Sequence, residues 1–402
     1  MSEFRTKGDK EERMGNKSDE EVVLYAVGDL GPDRADPDSI FRHVKGALSQ
    51  SNVAFCQLEV NLSNRGIGHR GREIARNPQI AAAIKDAGFN VVSFAANHCL
   101  DAGLEPFFDT IDNLKEQGLC VIGVGRNLKE ARSPAIIECK DTKIAFLAYN
   151  SILPEGYWAE DSSPRKVYWA EDSSPGCAPL RAWTLYEPID PTQPGLPPWV
   201  HTLTYRDDLK AMVEDIKKTK SLADLVIVST HCGIHMVPAV IAEYQKEIAH
   251  VAIDSGADLI LQHHPHILKG IEVYCNKVIF YSLANFAIEV HFMTKEWAET
   301  PCIKKERKSL NPDWNPPYPD YPSYPFPPDA RKTIIAKCII KNKKIKRVSF
   351  LPTIINKQAE PEILASEDKR FGEIVKYMEE ITRDQELDTE YTLSGDEVIV
   401  QE

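Results

Sequence analysis

The chain has 402 residues, 43% of them apolar, enough for one large α/β domain or two smaller ones with a sizeable core, and this excludes disorder as the default. A formal net charge of -12 argues against a nucleic acid or an anionic membrane held through bulk charge, so any phosphate chemistry would depend on local cations such as metal ions. The nine cysteines are scattered without a C-x-x-C pair, and several lie in apolar runs such as "VAFCQL", so they read as reduced, buried thiols.

Residues 1–20 are densely charged with no apolar h-region, which predicts a disordered leader. No stretch approaches the ~18 uninterrupted apolar residues of a membrane span, so a soluble cytoplasmic protein without membrane insertion is expected. From Glu21 strands and helices alternate: "VVLYAVGDL", "VAFCQLEV" and "NVVSFAANH" as strands, with "PDSIFRHVKGALSQ", "PQIAAAIKDAG" and "LEPFFDTIDNLKEQG" as helices. A "CVIGVG" strand and the hairpin-like "AIIECKDTKIAFLAYN" follow. The pattern resumes at residue 207 with "DDLKAMVEDIKKTK" as a helix and "ADLVIVSTHCG" as a strand. A helix, "AVIAEYQKEIAHVAIDSG", then leads into the strands "ADLILQHHPH" and "KVIFYSLANF". Such alternation predicts a parallel sheet covered by helices.

Residues 151–206 interrupt the series as an insertion, loop-like as far as residue 200. They hold a tandem repeat, "YWAEDSSPRKV" then "YWAEDSSPGCA", starting at Tyr157 and Tyr168. Two copies make no solenoid, and the expectation is a slip duplication tolerated on the surface, against a duplicated aromatic-acidic contact loop. Residues 291–330 form a strap in which "NPDWNPPYPDYPSYPFPP" suits an extended polyproline-like path, covering a site, binding a partner or crossing the surface. Residues 331–365 read as two strands around a "KNKK" turn, and 366–402 as an acidic helical tail that frays.

Polar residues close the apolar runs in series: Asp29, Glu59, then Asn97, His98 and Asp101, then His231, then His264 and His266. In parallel α/β sheets such strand ends converge on one crevice. Two carboxylates, a carboxamide and three imidazoles suit two borderline divalent ions, Mn, Fe or Zn, and are too many for one tetrahedral zinc. "HHPH" is the least easily explained by packing. His98 next to Asn97 can face substrate while Asp101 orients its ring, the arrangement of a general acid. His69, Arg70, Arg72 and Arg76 in "RGIGHRGREIARN" are candidate contacts for an anionic substrate, with solvated loop charges as the plain alternative.

The blocks "GDL", "LEVNLS", "AANHCLDAG", "STHCG" and "HHPHILKGIEVY" with "VIFYSLANF" resemble the CapA-type capsule-synthesis (poly-γ-glutamate synthesis) proteins, a branch of the calcineurin-like metallophosphoesterases. The resemblance covers roughly residues 21–290. It implies a four-layer α/β/β/α sandwich with a binuclear metal centre. By motif, Glu59 would bridge the ions, Asp29 and His266 would complete the first site, and Asn97, His231 and His264 the second. Asn285 would be a substrate contact, and His263 stands where the broader superfamily has glycine and would be packed. The superfamily's D-x-H first motif is absent, since Leu30 and Gly31 follow Asp29, which leaves the first site one imidazole short, with Asp33 or a water to fill the position.

A bridging hydroxide between two ions, with His98 as general acid, would make a phosphoesterase acting on a small or oligomeric anionic substrate. The rivals are a metal-dependent amide or γ-glutamyl hydrolase and a non-catalytic capsule-assembly or binding module.

Overall fold

Along the strand Leu225–His231 successive side chains divide between two cores: Leu225 and Ile227 join one apolar cluster, Val226 and Val228 another. The neighbouring strand Thr142–Asn150 divides likewise, Ile144 and Phe146 to the first cluster and Ala145 and Leu147 to the second. A sheet buried on both faces needs this pattern, and each fully buried aliphatic residue contributes ~1.5–3 kcal/mol. The computed structural model describes residues 21–65, 75–152 and 169–401.

Two sheets make the centre of the fold. The six-stranded sheet runs Ile271–Tyr274, Lys277–Phe280, Leu259–His263, Leu225–His231, Thr142–Asn150, Ala135–Cys139, with its four inner strands parallel. The ten-stranded sheet has Val22–Gly31, Val53–Leu58, Val91–Ser93 and Cys120–Ile122 as a parallel set. Lys332–Lys341 and Lys344–Ile355 extend it antiparallel beyond Val22–Gly31. Phe55 of one sheet stacks on Phe146 of the other, centroids 5.9 Å apart, so the sheets pack face to face.

Helices Arg206–Lys220 and Glu243–Asp254 press Met212, Ile216, Ile248 and Ala252 onto the outer face of the smaller sheet. Helices Ile80–Asp86, Leu104–Glu116 and Lys369–Asp384 add Ile84, Phe107, Leu114, Ile374 and Met378 to the core of the larger one. The layers are α/β/β/α. No helix among the described residues is long and apolar enough to cross a membrane.

Three expectations need correction. The helical stretch of the tail is found as Lys369–Asp384, but the residues after it do not fray: they form the hairpin Glu390–Ser394 and Glu397–Gln401, which pairs with Lys344–Ile355. Alternation in "DEVIVQ" places Val398 and Val400 in the core, and Gly395, at φ +60°, makes the turn. The insertion is not only loop: Ala182–Glu187 and Trp199–Thr204 form an antiparallel ribbon tied to helix Glu243–Asp254 through Thr202 N to Glu243 Oε2 and Thr204 N to Glu247 Oε2.

The second repeat copy, finally, is not a surface appendage. Ala170, Cys177 and Ala178 are buried, Gly176–Cys177 pairs with Val124–Gly125, and Ala178 N donates to Gly123 O at 2.9 Å. The first copy and the leader, 1–20, lie outside the described residues.

Deleting residues 157–167 preserves the packed copy and is expected to leave the urea midpoint nearly unchanged. Deleting 168–178 brings Arg165, Lys166 and Val167 to the positions of Gly176, Cys177 and Ala178. Burying those charges is expected to cost at least ~3 kcal/mol, read as a lower midpoint in urea titration. Equal midpoints for the two deletions would show that the second copy is dispensable.

Candidate metal centre

Both parallel sets deliver polar residues to the same end of the sandwich. Asp29 lies two residues before the end of Val22–Gly31, Glu59 immediately follows Val53–Leu58, and Asn97 and His98 lie on the loop after Val91–Ser93. From the other sheet come His231 and His263, the last residues of their strands, then His264 and His266. Asp29, Glu59 and His231 are buried together, with one ligand atom from each mutually within 4.8 Å. His231 Nε2 stands 2.8 Å from Asn97 Oδ1 and 3.3 Å from Glu59 Oε1. Donors around a single ion with ~2.1 Å bonds lie about 3–3.5 Å apart, so the residues fit a transition metal. His264 joins this group, its ring 4.9 Å from that of His231.

On the other side, His266 Nδ1 is 2.7 Å from Asn285 Oδ1 and 3.2 Å from Asp29 Oδ2. With Nδ1–H donating to Asn285, Nε2 keeps its lone pair for a metal, the usual tautomer of a ligand held from behind. Asn285 Nδ2 in turn donates to Tyr324 OH at 2.9 Å. Asn285 is fully buried with its amide committed at both ends, so it positions His266 rather than contacting substrate, which corrects the expectation.

His263 is fully buried against Phe55, with Nδ1 3.5 Å from Asp29 Oδ1. Neither oxygen of Asp29 or of Glu59 has a hydrogen-bond partner of good geometry among the described residues, nor do His231 Nδ1 and His264 Nδ1. Buried carboxylates left this way cost several kcal/mol, a cost that a bound cation removes.

Electrostatics follow from burial. Glu59 is raised to about 7, first by desolvation and then by the charge on Asp29. Burial also favours the neutral form of Asp29, but contact with the His263 and His266 imidazoles outweighs it and holds the carboxyl below its ordinary range. Burial pushes His231 and His264 well down, so both are neutral near pH 7 and offer lone pairs. For His266 burial acts downward, yet Asp29 and Glu59 draw it above the usual histidine value.

Backbone geometry at the centre is unusual. His264 and His266 have φ of +96° and +57°, and Ala284, beside Asn285, has +60°. Non-glycine residues there cost about 1–3 kcal/mol each and persist where the surroundings impose them. Gly28 is obligatory: a Cβ there would lie 1.9 Å from Ala284 O, the atom that accepts from Asp29 N at 2.9 Å.

His98 Nδ1 is 2.7 Å from Asp101 Oδ2, with the ring about half exposed. Arg76 pairs with Asp33 at 3.0 Å, so each engages the other. His69, Arg70 and Arg72 lie outside the described residues. Sequence reasoning passed over His235, whose ring is 5.5 Å from that of His264 and 5.1 Å from that of His266. The signal was the four-residue spacing in "HCGIH". It also left the strap's path open: Phe326 packs on His266 at 5.5 Å and Trp314 on His235 at 6.2 Å.

The fold and site define a class, an α/β/β/α protein with a buried carboxylate, carboxamide and imidazole centre. The profile of the bacterial capsule synthesis proteins, PGA_cap, matches residues 11–289, and the chain belongs to that family. The capsule biosynthesis protein CapA of Bacillus anthracis is 26% identical over 294 residues, covering 68% of this chain and 61% of its own. The PGA biosynthesis protein CapA of Bacillus subtilis (strain 168) is 27% identical over 263 residues, 63% of this chain and 57% of its own. The chain thus spans about three fifths of the length of these curated relatives. Among solved structures, the calcineurin-like phosphoesterase YfkN from Bacillus subtilis aligns over 91% of this chain and 97% of its own, with 12% identity and a TM-score of 0.35.

The raised carboxyl of Glu59 sets a pH dependence. A metal must displace its proton below about pH 7, and the proton of His266 as well, so apparent affinity is expected to fall at least about tenfold per pH unit there. Calorimetric titration with Mn or Zn from pH 5.5 to 8, in buffers of different ionisation enthalpy, should register the released proton. Affinity independent of pH would remove Glu59 from the ligand set.

Proposed function

We propose that the protein is a binuclear-metal-dependent phosphoesterase. The observation that carries this reading is the meeting of Asp29, Glu59, Asn97, His231, His264 and His266 at one end of the sandwich, with carboxylate oxygens that have no hydrogen-bond partner of good geometry among the described residues. Two divalent ions, Mn, Fe or Zn, held by these six residues would supply the activated water and the charge stabilisation for phosphoryl transfer.

The chain's own residues supply the rest. Asn285 and Tyr324 hold the His266 ring. Because His98 Nδ1 donates to Asp101, Nε2 is the atom that can carry a proton to a departing alkoxide. Asp101 fixes the orientation of the ring.

The relatives described as capsule and PGA biosynthesis proteins favour a second reading, in which the same centre cleaves a γ-glutamyl amide. A panel of nitrophenyl phosphate, bis-nitrophenyl phosphate and γ-glutamyl peptides, assayed with added Mn, separates the readings. Turnover of the phosphate esters supports the first, turnover of the peptides alone supports the second, and no turnover by metal-loaded protein indicates an accessory binding role.

His98→Ala is expected to slow alkyl phosphate esters by ~10²–10⁴-fold and nitrophenyl esters far less, since nitrophenolate leaves without a proton. Metal content should be retained. Equal losses on both substrates would exclude the general-acid role.

A further inference from the structure

His235 belongs to none of the motifs that define the centre, yet its ring stands among their imidazoles. Its centroid is 5.1 Å from His266 at an interplanar angle of 75° and 5.5 Å from His264. Two imidazoles sharing one tetrahedral ion, each with ~2.1 Å to the metal, hold their centroids about 5 Å apart. The His231 and His264 pair, 4.9 Å apart, has the same spacing. His235 therefore stands from His266 as one ligand stands from another.

The loop that carries it is fixed from three directions. Met236 N donates to Pro265 O at 3.0 Å, inside the "HHPH" turn itself. Asn311 Nδ2, at the start of the strap's proline-rich run, donates to Met236 O at 3.2 Å. The buried ammonium of Lys269 donates to Val237 O. Met236 and Ala239 take φ of +59° and +46° to make the turn. Trp314 packs edge-on against the His235 ring at 6.2 Å, and its indole N–H is tied to Pro325 O at 2.9 Å. A histidine needed only as filler would not require a strained backbone, a buried lysine and a side-chain amide to hold its loop.

The first motif supplies Asp29 and then Leu30 and Gly31, with no imidazole. The geometry points to His235 as the ligand that makes up this deficit, reaching the ion beside His266 from the loop that follows Leu225–His231. This rests on the metal-centre reading above and adds a seventh protein ligand to it. Imidazole is neutral and softer than a second carboxylate, so the first site would favour Zn, Fe or Co over Mg.

The test uses the full chain, freed of metal by chelation and titrated with Co(II), with metal content measured by elemental analysis and the Co(II) visible absorption recorded. His235→Phe keeps the ring and its packing on Trp314 and removes both nitrogens, and His235→Ala removes the ring as well. Both variants are expected to lose about one ion per chain, or to bind it at least ~10-fold more weakly, with a changed Co(II) spectrum and unchanged melting of the metal-free protein. If His235→Phe binds two ions with the wild-type affinity and spectrum, His235 is not a ligand and only this inference falls. If the wild-type chain takes up no Co(II), Zn or Mn, the metal-centre reading itself fails. Loss of melting cooperativity in both metal-free variants, alongside retained binding of two ions, would show that the ring serves packing and would overturn the inference.

Discussion

Two carboxylates, Asp29 and Glu59, are buried near each other at the seam between two sheets, without hydrogen bonds of good geometry from the described residues to hold their charge. Burial disfavours the charged form of a carboxylate and a like charge nearby adds to the effect, and Glu59 shows both in a carboxyl raised to about 7. Nothing in hydrophobic packing rewards this arrangement. A local positive charge does, and the imidazoles beside Asp29 supply part of it while a divalent ion would supply the rest.

The remainder of the end of the sandwich serves to keep those groups where they are. Glycine at position 28 lets the backbone of Asp29 reach Ala284, and the bond between them joins the tail of one strand to the turn that presents Asn285. Left-handed residues at His264, His266 and Ala284 store strain that a floppy loop would release. The proline-rich strap prevents that release: Tyr324 fixes Asn285, Phe326 rests on His266, and Arg331 stacks on Tyr321 at 3.8 Å. Its fixed backbone loses little entropy on lying down across the site.

Burial does electronic as well as steric service. It keeps His231 and His264 neutral, so their lone pairs are available at the pH where the carboxylates are charged. The pair His98 and Asp101, partly exposed, lies outside that dry interior.

Much of this was legible from residue order. Period-two and period-3.6 patterns marked the parallel strands and their covering helices, and each polar residue at the end of an apolar run proved to lie at one edge, because parallel strands all end on the same side. The KNKK turn and the ligand-type residues could be named from their neighbours alone. What linear order left open depended on contacts between distant segments. Asn285 became a support for His266 only because Tyr324 reaches it from 39 residues away. The second repeat copy differs from the first in three residues of eleven, and only pairing with Val124–Gly125 gave Gly176 and Cys177 a structural role. The acidic tail concealed a hairpin, since its charges hide an alternation that matters only when a sheet edge is there to receive Val398 and Val400. Sequence determined which residues could bind and which face of each strand they occupied; the tertiary structure alone decided that His235 joins them, because nothing local to "HCGIH" specifies the turn that Lys269, Asn311 and Pro265 impose on it.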